Sequence, residues 1–380
     1  MIVAIDATNI RAGGGLVHLR EIIQHGVPGD HGIASVIVWC DEQTASKLPS
    51  QNWLTVRTSP LLGRHFLFSA AWRQLFLDRQ LKVNKTDVLL VPGGVYSGAF
   101  RPFVAISQNM LPFEAVERRR YGWSRERARA EILAVLQPRT FKTADGLLLL
   151  TEYARRRVQG RLGRLPSHHA IVPLGCSAEF AADWKVPAVR GNTPFRILYI
   201  SIVDVYKHQD HVIRAAQLLH RAGRSVILEL IGPACEPALS RVRRALAEAV
   251  AEGLQVHYAG ALARSDLPQR LAGADILIFA SSCETMPNIL LEYMAAGRPI
   301  ACSNRGPMPE ILADAGVYFD PEAPTEIAAA CCRLMDNALL REACVKKARS
   351  RVSRYHWAKC AADTFEVLVR VARAHPAGAS

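Results

Sequence analysis

The chain has 380 residues, half of them apolar, with a net charge of +13 and nine cysteines. That length favours two α/β domains, each with its own core, over a single domain. No run approaches the roughly 20 apolar residues that span a bilayer, and no C-x-x-C pair offers a cysteine-bound metal, so reduced thiols in the cytoplasm are expected.

The first six residues lack a basic n-region and carry Asp6, and are read as a strand, Ile2–Asp6, rather than a leader. Gly13, Gly14 and Gly15 follow, with a helix expected from Leu16 to Gln24. A strand, a glycine loop and a helix make an anion-facing turn, and the absent side chains let a ligand or a facing domain come close. The spacing is not G-x-G-x-x-G, so a dinucleotide site is not expected. The alternative for the three glycines is a flexible connector. Further strands are expected at Ser35–Trp39, Asp87–Val91 and Phe103–Ser107. Ligands of open α/β sheets gather beyond the carboxyl ends of strands. Gln108 and Asn109, just past the third of these strands, are therefore candidates for acceptor or sugar contacts.

Two arginine clusters account for much of the charge. Arg118-Arg119-Arg120 with Arg125, Arg127 and Arg129 is interrupted by Glu114, Glu117, Glu126 and Glu131, and reads as a solvated helix face. Arg155-Arg156-Arg157 with Arg161 and Arg164 has only Glu152 nearby and is the better candidate for meeting an anionic membrane surface. No nucleic-acid-binding pattern accompanies either cluster, and nucleic acid is not an expected partner. Leu147–Leu150 reads as the last strand of the first domain, followed by a helix capped by Thr151. Pro187, Gly191 and Pro194 mark Ala181–Pro194 as a linker. The expected division is 1–185, 194–357 and a tail, 358–380, carrying a last helix.

The second half opens on the apolar strand Phe195–Ile200 and the loop from Ser201 to Gln209, which contains Lys207. Val212, Ile213, Ala216 and Leu219 then recur at helical spacing. Strands are expected at Val226–Ile231, Gln255–Tyr258, Asp275–Ala280, Ile300–Ser303 and Val317–Phe319. The most informative stretch is Ser281–Gly297. Glu284 stands at a strand's carboxyl end, Pro287 suits the first turn of a helix, Gly297 suits its end, and Glu292 lies about two turns in. The amides of Asn288 and Ile289 would face whatever lies above the strand, because a helix N-terminus attracts anions. Carboxylates on both sides of an anion site fit a nucleotide sugar.

This segment resembles the E-x7-E signature of the retaining family 4 glycosyltransferases, which have the GT-B fold. The resemblance implies an α/β protein of two Rossmann-like domains facing a central cleft, its C-terminal helix crossing back to the first domain. It also implies that Glu284 contacts the donor sugar, that Glu292 holds the ribose, and that the Pro287–Leu290 turn, with Asn288 and Ile289, holds the diphosphate. Lys207 matches the family's diphosphate lysine, and Gly260 the residue against which the base packs. Ile202 stands where the family carries an arginine, and Arg264 is a candidate replacement. Gly306-Pro307-Met308-Pro309-Glu310, Phe319-Asp320-Pro321 and Tyr355-His356-Trp357 also resemble family turns. Gly13–Gly15 match a glycine turn of the acceptor side, and the histidine that many members carry near Gln108 is absent.

The implied activity is transfer of a sugar from a nucleotide donor, with retention and without a metal or other cofactor. The loop from Val203 to Gln209 resembles that of bacterial O-antigen mannosyltransferases. It points to GDP-mannose and to a lipid-linked glycan of cell-surface polysaccharide, made at the inner face of the cytoplasmic membrane. The alternatives are a nucleotide-sugar epimerase of the same fold and a non-catalytic sugar-nucleotide-binding protein.

Overall fold

The computed structural model describes residues 1–62, 71–181 and 193–375. The expected linker Ala181–Pro194 lies almost wholly outside the described residues. By its contacts the chain forms two units, one of Met1–Phe113, Ala128–Gly175 and His356–Ser380, the other of Glu114–Arg127 and Cys176–Tyr355. The second unit thus takes over at Cys176 rather than after 185. It also includes a short segment from inside the expected first domain.

The first unit is built on a seven-stranded parallel sheet. Its strands are β1 (Ile2–Asp6), β2 (Ser35–Cys40), β3 (Leu54–Thr58), β4 (Val88–Val91), β5 (Phe103–Ser107), β6 (Gly146–Leu149) and β7 (His168–Ile171), in the order β3-β2-β1-β4-β5-β6-β7. β4, β5 and β6 are buried along their whole length. This is why they read as unbroken apolar runs, as strands covered on both faces do. The edge strands β3 and β7 carry no such run. β7 reads His-His-Ala-Ile and alternates half-buried with exposed positions. It corrects the expectation that Leu147–Leu150 closes this sheet.

Three longer helices cover the sheet: α1 (Gly13–His25), α2 (Arg125–Thr143, within this unit from Ala128) and α3 (Glu152–Leu162, capped by the Thr151 side chain). A C-terminal helix, Trp357–Ala374, also belongs to this unit and packs on α1. Gly146 makes room for it, since an added Cβ there would lie 2.8 Å from Val371.

The second unit holds a six-stranded parallel sheet of β8 (Phe195–Ile200), β9 (Val226–Ile231), β10 (Gln255–Tyr258), β11 (Ile276–Phe279), β12 (Ile300–Ser303) and β13 (Val317–Phe319), ordered β10-β9-β8-β11-β12-β13. The chain builds outward from β8 to β10, then returns to pair β11 against β8 through Ile276–Ile197 and Leu277–Leu198. The carboxyl ends of β8 and β11 therefore flank the point where strand order reverses. A parallel sheet leaves its ligand crevice there. α4 (Gln209–Arg221) follows β8, and α5 (Asn288–Ala296) follows β11.

Candidate sugar-nucleotide site

Lys207 and Glu284 are brought together at this switch point. Lys207 comes from the loop after β8 and Glu284 from the loop after β11, and the ammonium is paired with Glu284 Oε1. Their side chains are only 8% and 15% exposed. Two further contacts ease the burial of the cation: Nζ lies 5.2 Å from the centre of the Tyr206 ring and 5.6 Å from that of Phe279. An ammonium has three N–H donors, and one carboxylate oxygen does not exhaust them.

The loops are held from below. Tyr199 Oη donates to the Lys207 carbonyl at 2.8 Å, the Ser282 amide donates to the Tyr206 carbonyl at 2.8 Å, and the Ile200 amide donates to Tyr293 Oη at 2.7 Å. The last bond ties α5 to the end of β8. The Gly306 turn after β12 reaches the same place, where an added Cβ would lie 3.9 Å from the Glu284 amide.

α5 begins one residue later than the sequence implies. Pro287 is its extended N-cap rather than its first helical residue, and Gly297 ends it in the left-handed region at φ +64°. The Leu290 amide bonds back to the Pro287 carbonyl at 3.1 Å. The amides of Asn288 and Ile289 remain as the first-turn donors without an intrahelical acceptor. Asn288 Oδ1 is buried without a hydrogen-bond partner among the described residues.

Glu292 is buried, and its carboxylate is 2.8 Å from Arg264 Nη1. The same guanidinium bonds Glu179 at 2.9 Å and lies 4.7 Å from the Phe180 ring centre. Arg264 is thus placed beside the second glutamate of the pair. Ile202 lies at the start of the Lys207 loop, where its carbonyl accepts from Gln209 Nε2 at 2.8 Å. Gly260 follows β10, at φ +71°, and its carbonyl accepts from the Gly232 amide at 2.8 Å. Strands β9 and β8 stand between β10 and β11.

Several residues here were not found from the sequence. Glu117, Arg120 and Tyr121 belong to the second unit, so the first arginine cluster is not wholly a solvated face. Ser282 Oγ donates to Glu117 at 2.7 Å and lies 2.9 Å from His208 Nε2, and Arg120 bonds Glu322 at 3.0 and 2.6 Å. Burial and the neighbouring Asp204 raise the Tyr121 phenol. Glutamate at 114 and 117 among arginines gave an ambiguous signal, because alternating charges are the usual mark of solvent.

The acceptor-side candidates all belong to the first unit. Gly13–Gly15 form the first turn of α1 rather than a loop ahead of it, with Gly13 at φ +69°. Gly15 and Gln108 do meet, since an added Cβ at Gly15 would lie 3.1 Å from Gln108 Oε1. Asn109 is used locally, accepting from the Leu111 amide at 3.0 Å. Gln108 Nε2 also lies 2.6 Å from Nδ1 of His18, a residue of α1. The sequence has no histidine near 108, where the resemblance implies one, yet the His18 imidazole of α1 reaches that glutamine.

Burial pushes the His18 imidazole down to about 4, and burial with nearby Arg120 pushes His208 to about 4. Both rings bind fewer protons folded than unfolded between pH 6.5 and 4, so stability rises with pH across that window and falls as acid is added. The loss at the acid end is on the order of 3 kcal/mol for each ring. Urea midpoints measured from pH 7 to 4 are expected to fall most steeply in that interval, and less steeply for His18→Gln. An identical slope in the variant would contradict the assignment.

Two all-parallel α/β units, each with helices on its sheet, define the GT-B class. Sucrose-phosphate synthase from Thermosynechococcus elongatus has this fold, with a TM-score of 0.77 over 98% of this chain and 100% of that one, at 13% identity. Residues 182–351, a little under half of the chain, match the family model "Glycosyl transferases group 1". Among similar curated proteins, the O-antigen chain mannosyltransferase B of Escherichia coli is 28% identical over 230 residues, 59% of this chain and 60% of that protein. The MMP alpha-(1->4)-mannosyltransferase of Mycolicibacterium hassiacum is 29% identical over 238 residues, 61% of this chain and 56% of that protein. The matched region thus spans about three fifths of each relative.

Proposed function

We propose that the protein transfers mannose from GDP-mannose, with retention and without a metal, to a hydroxyl of a lipid-linked glycan in cell-surface polysaccharide synthesis. The observation that carries this reading is the Lys207–Glu284 pair at the switch point of the second sheet, beside the amino end of α5. When the glycosidic bond to the donor breaks, negative charge grows on the leaving diphosphate. A fixed ammonium and the first-turn amides of Asn288 and Ile289 would stabilise that charge more than the ground state. Glu284 would accept hydrogen bonds from the sugar hydroxyls, and Glu292, oriented by Arg264, from the ribose. The choice of mannose rests on the two mannosyltransferases among the relatives.

The test is incubation with a panel of nucleotide sugars and a membrane extract, reading which nucleotide is released. GDP release from GDP-mannose that depends on the extract is the expected result. Isomerised sugar without an acceptor would favour an epimerase instead. Glu292→Gln keeps the shape but removes the charge that faces Arg264. It is expected to raise the donor KM about tenfold and to change kcat much less, as loss of uniform binding does. Steady-state kinetics at varied donor would show it, and an unchanged KM would remove Glu292 from the donor site.

A further inference from the structure

We propose that Glu117 and His208, bonded on either side of the Ser282 hydroxyl, position the Lys207–Glu284 pair for the transfer step. This deepens the proposed function and rests on it. His208 directly follows Lys207, and Ser282 stands two residues before Glu284. Glu117 is 165 residues from Ser282 in the chain, in the segment Glu114–Arg127 that belongs to the second unit. All three side chains are buried.

The protons of this network can be placed. Ser282 Oγ has one hydrogen and two acceptors in reach, Glu117 Oε2 at 2.7 Å and the Tyr206 carbonyl at 3.3 Å. The shorter bond, to a carboxylate, takes it. The hydroxyl then offers only lone pairs to His208 Nε2, 2.9 Å away, so Nε2 carries hydrogen and donates. Burial and the neighbouring Arg120 push the His208 ring down to about 4, which leaves it a neutral donor at pH 7. Glu117 is held in turn by Arg120 at 2.8 Å, and Arg120 by Glu322, beyond β13, at 2.6 Å.

This network grips the backbone beside Lys207 where it is strained. His208 has φ +53°, in the left-handed region that residues other than glycine rarely adopt, at a cost of about 1 kcal/mol or more. Such strain persists only where the surroundings over-determine it. Here the ring is fixed by Ser282 and also stacks on His211, with ring centres 5.3 Å apart. His211 Nδ1 donates to the Pro321 carbonyl at 2.9 Å. Tyr121, four residues after Glu117, bonds Asp204 in the same loop as Lys207. One segment thus holds the Lys207 loop at Asp204 and the Glu284 loop at Ser282. A misplacement of about 1 Å can cost a reaction about a hundredfold in rate, so two loops that share one ion pair need such a tie.

The test is steady-state kinetics of the full chain with nucleotide sugars and a membrane extract, with thermal melts and NMR of the imidazole nitrogens alongside. Ser282→Ala and Glu117→Ala should each lower kcat about tenfold or more, with the donor KM changed less than about threefold. The double variant should lose no more than about the larger single loss, because both break one network. Glu117→Gln keeps an acceptor for Ser282 and should recover most of the kcat lost in Glu117→Ala. His208 should carry its hydrogen on Nε2 in the unmutated chain, a readout that needs neither donor nor acceptor sugar. Hydrogen on Nδ1 instead would overturn the proposal. So would a lowered melting temperature with unchanged kcat in both alanine variants, which would make the network structural only. Absence of nucleotide release from any nucleotide sugar by the unmutated chain would overturn the proposed function itself, and the positioning role with it.

Discussion

Lys207→Ala and Glu284→Ala are each expected to lower turnover by about a hundredfold or more, with the fold retained. The two side chains come from neighbouring strand ends and form one ion pair, with Lys207 also between the Tyr206 and Phe279 rings. Removing the lysine takes away the cation that would meet the leaving diphosphate. Removing the glutamate takes away the group that would accept from the sugar hydroxyls, and with it the ion-pair partner of Lys207. Because the pair acts as a unit, the double variant should lose much less than the product of the two single losses. Single-turnover rates at saturating donor measure the chemical step, and circular dichroism checks the fold. Near-normal turnover in both single variants would remove this pair from the chemistry.

The second large effect concerns Gly232, at the end of β9. It sits at φ +144°, and an added Cβ would fall well inside 3.0 Å of the Ser201 carbonyl oxygen. That atom is backbone and cannot swing aside, so β9 and the loop after β8 would have to separate. Gly232→Ala should cost about 3 kcal/mol or more and displace the loop that carries Lys207. Gly160, inside α3, is the control. Nothing lies within 4 Å of its added Cβ and its φ is ordinary, so Gly160→Ala should be neutral or stabilise by about 0.5–1 kcal/mol. Thermal melts of the two variants test this. Equal midpoints would show that the strand ends are not packed as described.

Which parts of this were legible in the sequence follows from burial. β4, β5, β6 and β11 lie inside their sheets, so each strand is apolar along all or nearly all of its length and could be placed within a residue or two. The edge strands β3 and β7 are half solvated and take polar residues, so neither pattern nor composition revealed them. Gly13–Gly15 suggested a loop because glycine disfavours helix, yet tertiary packing of α1 draws them into its first turn. The Glu284–Glu292 spacing exposed a candidate site because strand, turn and helix are consecutive. The pairing of Lys207 with Glu284, 77 residues apart in the chain, depends on β11 returning to β8, which only the fold decides. Glu117 and Tyr121 were missed for the same reason, since their partners Ser282 and Asp204 are distant in the chain.

The central claim is that the ends of β8 and β11 hold a nucleoside diphosphate. It is tested most directly by the melting temperature of the second unit's transition in the full chain, with GDP, UDP or ADP added at about 1 mM. A clear rise with at least one of them, lost in Lys207→Ala, is the predicted result. No rise with any of the three would contradict the account.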